Sequence, residues 1–149
     1  MSDCVFCEVV ARRAPANIVW EDEATLAFID LRQFHPGHTL VVPRAHVADV
    51  RALDAAAGAA LMATLARVTD AVAKAFPADG ISLWSSIGPG ALQEVPHLHL
   101  HVHPRRHGDG LLRVYPGEPP GSEPHERDAY AARIRAHLQQ SACCAQAEP

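Results

Sequence analysis

The stretch HLHLHVHPR, residues 97–105, alternates histidine with Leu98, Leu100 and Val102, the period-two rhythm of a strand resting one face on a core. The other face carries His97, His99, His101 and His103, spaced about 6.6 Å apart at a rise of about 3.3 Å per residue. That polar face is expected to look onto solvent or a ligand. Upstream, NIVWEDE and ATLAFID read as two short strands joined by an acidic turn. Pro36 and Gly37 supply a turn before HTLVV, whose continuous apolar character suits an interior strand ended by Pro43. Asp54 is placed to cap a helix to about Phe76, in which Leu61, Leu65, Val68, Val72 and Phe76 recur at helical spacing. GISLWSSI from Gly80 reads as a further strand and GPGALQEVP as the loop into the histidine strand, so these last two strands are expected to pair.

The chain starts with a short apolar patch at Val5, Phe6, Val9 and Val10. Beyond Arg105 it becomes loop-like until Ser122 and Pro124 open a helix with a thin stripe of Tyr130, Ile134 and Leu138. From Gln139 the stripe is gone, which predicts one domain over residues 1–138 and a disordered tail over 139–149. The elements sum to an α+β fold, a five-stranded antiparallel sheet with one long helix and a C-terminal helix. An open sheet has edges, and pairing one with a second copy of the chain covers it economically.

Composition narrows the function classes. With 149 residues, 48% hydrophobic and 20% charged, the chain has the size and balance of one soluble domain. A formal net charge of −4 argues against a nucleic-acid partner, and the small apolar run AAAGAALMA from Ala55 is too short to predict a membrane span. MSDCVFCEVV lacks the basic and hydrophobic regions of an export signal, so a cytoplasmic location is expected. Four cysteines there are thiols or metal ligands rather than disulfides.

Two features carry chemistry. Neighbouring imidazoles on one strand face are spaced so that a phosphate could touch two of them; the competing reading is a His-rich tract that binds metal weakly. Cys4 and Cys7 form a C-x-x-C, which serves either as half of a tetrahedral zinc site or as two reduced thiols.

The alternation through EVPHLHLHVHPR, with PGHTLVVPRAH upstream and CVFCEVVARRAPANIVWEDEATLAFIDLRQF before it, resembles the histidine triad (HIT) family, most closely its bacterial zinc-containing members. The similarity extends to about GDGLLRVYP. It implies a homodimer with a sheet continued across the interface, binding a purine nucleotide or nucleotide conjugate. The implied activity is hydrolysis or nucleotidyl transfer at the α-phosphate of phosphoramidate, acyl or polyphosphate conjugates. A dinucleoside-polyphosphate hydrolase and a non-catalytic nucleotide-sensing zinc module are the alternatives.

Within that resemblance His99 matches the nucleophile that forms a nucleotidyl-imidazole, and a neutral imidazole is a competent nucleophile at cellular pH. His101 would hydrogen-bond the phosphate, and His38 matches the fourth histidine of the site, its other reading being a buried histidine satisfied by backbone. Asp30 resembles the ribose-binding carboxylate and could equally be a turn cap. Phe6, Val9, Phe28 and Leu31 resemble the walls of the base pocket, or ordinary core, while Gln93 and the backbone at Val95 resemble the phosphate loop. Ser86 stands where many members have asparagine, and Leu92 where glycine is usual, which touches rate rather than the nucleophile. His103 is extra, since an aliphatic residue commonly sits there in the family; it reads as a solvent-facing strand end, its other reading being an extension of the site along the same face. The resemblance gives His97, first of the triad, to a zinc ion shared with Cys4, Cys7 and His46. Cys143 and Cys144 read as exposed tail thiols without a site role.

Overall fold

The two short strands either side of the acidic turn form a hairpin, β1 (Ile18–Glu21) and β2 (Thr25–Ile29), in the computed structural model, which describes residues 4–111 and 119–145. Asp22 organises the turn: its carboxylate accepts from the backbone N–H groups of Ala24 and Thr25 at 3.0 and 2.7 Å and from the Trp20 indole at 3.1 Å. Strand β3 (Thr39–Pro43) is buried along its whole length, as its unbroken apolar run requires. It lies between β2 and β5 (Leu100–Arg105), and β4 (Gly80–Trp84) closes the sheet in the order β1-β2-β3-β5-β4. Every pairing is antiparallel, the predicted pairing of the last two strands included.

A short helix, α1 (Val5–Val10), precedes the sheet, and the long helix α2 (Ala55–Ala75) starts where Asp54 accepts from the Ala57 N–H at 2.8 Å. Its stripe of Leu61, Leu65, Val68 and Val72 packs on Ala27, Val41, Leu98 and Val102, and each such buried aliphatic side chain contributes about 1.5–3 kcal/mol. At 21 residues α2 is long and apolar enough to cross a bilayer, which the run at Ala55 had not suggested; its buried face rests on the sheet. Val9 of α1 joins Leu26, Phe28, Leu40 and Val42 in a second cluster.

The chain divides into two compact units, up to Leu111 and from Leu112. In the second, α3 (Pro124–Ala145) runs past Gln139 into the residues the sequence pattern assigned to a tail. Residues 112–118, with part of GDGLLRVYP, and the side chains of Cys143 and Cys144 lie outside the described residues.

The histidine strand departs from its expected form. The ladder begins only at Leu100, because the Leu98 N–H goes instead to the Val47 carbonyl at 2.7 Å and the His97 N–H closes a turn on Val95 at 2.8 Å. His97, His99 and His103 are all buried, so the polar face is covered rather than open. His103 is no strand end: the strand continues to Arg105, and the ring sits in the interior at 2% exposure.

Gly37 fixes the approach to β3. Its φ of +97° suits glycine, and a Cβ there would lie 2.4 Å from the Phe76 ring. Gly37→Ala is therefore expected to destabilise the fold by about 1–3 kcal/mol from overpacking alone, read by denaturant unfolding. A smaller loss in a Phe76→Ala background would follow from the same contact.

Candidate active site

His97 approaches the sheet from the loop before β5, and its Nε2–H donates to the Pro43 carbonyl at 2.9 Å. That bond fixes the tautomer and leaves Nδ1 with its lone pair, 3.5 Å from Cys4 Sγ and 3.6 Å from Cys7 Sγ. His46 Nδ1 lies 3.2 Å from Cys7 Sγ, and the four donor atoms all fall within 4.8 Å of one another. Residues from α1, the segment after β3 and the histidine loop are thus brought into one donor set. Burial pushes His97 below the ordinary histidine range, which keeps its ring neutral.

His99 follows the same logic one step along. Its Nδ1–H donates to the His97 carbonyl at 2.7 Å, so Nε2 carries the lone pair. The ring is buried, with Phe6 edge-on at 5.3 Å and His101 at 5.0 Å.

His101 sits flat on Trp84, ring centroids 4.3 Å apart and planes 4° from parallel. Its Nδ1 meets His38 Nε2 at 2.8 Å, and His38 Nδ1 lies 3.0 Å from the Arg32 carbonyl. A carbonyl only accepts, so His38 carries its hydrogen on Nδ1 and His101 donates to His38. Neutral His101 therefore presents Nε2 as an acceptor, and it can hydrogen-bond a phosphate oxygen there only after gaining a proton. Burial, then the neighbouring His99, His38 and His103, push His101 down to about 3.

Asp30 stands at the outer end of this relay, its Oδ2 3.6 Å from His38 Nδ1. Its Oδ1 also accepts the Arg32 N–H at 2.8 Å, the turn-capping role that was its alternative reading. Arg32 Nη1 in turn donates to both carboxylate oxygens of Glu94, at 3.0 and 2.9 Å, tying the loop after β2 to the loop before His97.

Among the expected pocket residues, Phe6, Val9 and Phe28 come together, Phe6 edge-on to Phe28 at 5.4 Å. Leu31 does not join them; it is 96% exposed, because the chain has left β2 and turns outward at Asp30. The Gln93 amide is engaged within the fold, accepting from Gly88 N–H at 2.8 Å and donating to Ala48 at 2.7 Å, which braces the loop. Leu92 occupies the left-handed region at φ 61°, so this position does ask for a glycine-like backbone, which costs a leucine about 1–2 kcal/mol. Val95 supplies the turn carbonyl under His97, and Ser86 lies half-buried just beyond β4.

Trp84 was missed by sequence reasoning. The signal was present: in GISLW, Ser82 and Trp84 share a face, and pairing β4 with β5 sets Trp84 opposite His101.

A family model for the HIT domain matches residues 11–108. An uncharacterized HIT-like protein from Mycobacterium tuberculosis is 38% identical over 143 residues, covering 96% of this chain and 98% of that protein. An adenylylsulfatase of Arabidopsis thaliana is 29% identical over 110 residues, 74% of this chain and 56% of its own. The structure of a histidine triad nucleotide-binding protein from Sulfolobus tokodaii superposes with a TM-score of 0.68 at 29% identity, covering 92% of this chain and 93% of that one. With its triad, sheet and the match over most of the folded chain, this protein belongs to the HIT domain family.

Proposed function

We propose that the chain is a nucleotide-binding hydrolase or nucleotidyl transferase that cleaves nucleoside 5′-phosphate conjugates at the α-phosphorus. The observation that carries this reading is the His99 tautomer: with Nδ1–H held by the His97 carbonyl at 2.7 Å, Nε2 is left as a buried, correctly protonated nucleophile. Attack by Nε2 forms the N–P bond as the bond to the leaving group breaks. A proton on His101 Nε2 would then serve the departing atom, its charge shared along the 2.8 Å bond to His38 and onto Asp30. Water reverses the sequence and frees the nucleoside monophosphate. The adenylylsulfatase relative supports a reaction at an adenylyl phosphate. Asp30 keeps carboxylate lone pairs for ribose hydroxyls, and Phe6, Val9 and Phe28 give an apolar bed for a base.

Cys4, Cys7, His46 and His97 fit a zinc ion by donor chemistry: two thiols and two imidazoles converge, and the His97 Nδ1 lone pair is aimed by the Pro43 bond. Zinc there would pin α1 to the histidine loop and has no place in the phosphate chemistry. A homodimer is part of the same reading, since β1 and β4 are sheet edges and Leu83 of β4 is half exposed.

His99→Ala is expected to abolish turnover of an adenosine phosphoramidate while nucleoside monophosphate binding stays within about tenfold. Wild type should show a nucleotidyl adduct on rapid quenching. Tight binding without turnover by wild type would favour the sensor over the enzyme, and preferred cleavage of a dinucleoside polyphosphate would favour that alternative substrate.

Asp30→Asn should weaken a ribonucleotide more than its 2′-deoxy counterpart, by about 1–2 kcal/mol, as measured by titration calorimetry. Equal losses would leave Asp30 as a turn cap alone.

Elemental analysis of untagged protein should give close to one zinc per chain. Cys4→Ser should lower metal content and melting temperature together, with activity falling less than in His99→Ala.

A further inference from the structure

A charged pair stands at the outer end of the histidine row. Arg32 is anchored there by its backbone: its N–H donates to Asp30 Oδ1 at 2.8 Å, and its carbonyl takes the Nδ1–H of His38 at 3.0 Å. Its side chain reaches across to Glu94, three residues before His97. The two side chains are 81% and 66% exposed, and a pair so open to water contributes little to stability. Its effect is to fix a carboxylate beside the loop that leads into the triad.

That loop offers an anion little. The N–H groups of Gly88, Ala91, Leu92 and Gln93 are all engaged within it, on the Gln93 amide oxygen and the carbonyls of Gly88 and Pro89, and so form no cradle for a negative group. Nor do His101 and His103 add positive charge, since burial keeps both neutral. Asp109, beside His35, is paired with Arg105, which balances that end of the row. At the other end Asp30 and Glu94 set two carboxylates against the one guanidinium of Arg32.

We infer that Glu94 is a specificity-determining residue that selects the leaving group by charge, its carboxylate favouring a group that departs as an ammonium ion over one that carries an anion. The inference rests on the proposed cleavage at the α-phosphorus. In-line attack from the buried His99 Nε2 sends the leaving group outward, toward the exposed Arg32–Glu94 pair. In a phosphoramidate the electron pair of the breaking P–N bond stays on nitrogen, which takes one proton from His101 Nε2 and a second from water and departs positively charged. Glu94 attracts that cation. An anionic leaving group meets a like charge there, and the guanidinium that could offset it is already engaged by Glu94.

Two matched phosphoramidates of adenosine 5′-monophosphate test this, one made with propylamine and one with β-alanine, which adds a carboxylate to a leaving group of the same length. Wild type should cleave the propylamine conjugate with the higher kcat/KM. Glu94→Gln should lower that preference by about three- to tenfold, and Arg32→Gln, which leaves the carboxylate unpaired, should raise it by a similar factor. Both variants keep the Arg32 backbone groups that anchor Asp30 and His38, and a mere loss of loop structure would lower both rates together without moving their ratio in opposite directions. An unchanged ratio in Glu94→Gln would overturn the inference, as would shifts of the two variants in the same direction. Should wild type cleave neither conjugate, the proposed hydrolase fails on its own account, and the affinities of the same two conjugates, measured by calorimetry, decide Glu94: a propylamine preference that shrinks in Glu94→Gln supports the selection by charge, and an unchanged one overturns it.

Discussion

His97, His99 and His38 are buried imidazoles that each deliver an N–H to an acceptor, and an unpaired polar hydrogen in the interior costs about 1–3 kcal/mol. Here the acceptors are backbone carbonyls. Pro43 takes the hydrogen of His97, His97 takes that of His99, and Arg32 takes that of His38. The carbonyls are fixed by the sheet and its connecting loops, so backbone geometry selects the tautomer of these three rings and, through His38, that of His101. His97 is left with Nδ1 facing two sulfurs, His99 with a bare Nε2, and His101 with a partner in His38. One strand carries chemically different histidines because different neighbours use up different nitrogens.

The scaffold and the site are for this reason hard to separate. Leu98 and Val102 anchor the strand on α2, and the residues between them point to the opposite face. Moving the register by one residue would bury the histidines under the helix and expose the aliphatics. Gly37 has a similar double role: it allows Phe76 to close over the turn and delivers His38 to the start of β3. The stability of that corner and the alignment of the relay rest on the same contact.

The donor set of Cys4, Cys7, His46 and His97 links the shortest helix to the most constrained loop. Its His97 stands two residues before His99 and leaves the other nitrogen bare: Nε2–H goes to the Pro43 carbonyl, and Nδ1 keeps its lone pair on the side of the sulfurs. Phe6 bridges the two regions, touching the rings of both His97 and His99. Any disturbance of α1 would therefore reach His99 through packing.

Period-two alternation, the Asp54 cap and the Pro36–Gly37 turn were legible in the chain itself, since they are set by neighbours a few residues apart, and they gave the strands, the long helix and the pairing of β4 with β5. The identities of His38, His99 and His101 were legible through family resemblance, and the fold brings those three rings together. Burial was not legible. Alternation says that the histidines share a face but not what covers it, and the cover comes from Phe6, His35, His38 and Trp84, distant in sequence. The same limit misplaced His103 at a solvent-facing end. Local sequence determined which side chains lie on each face; only tertiary packing decided which of their atoms are enclosed, paired or left with a lone pair, because each nitrogen's partner is contributed by another segment of the chain.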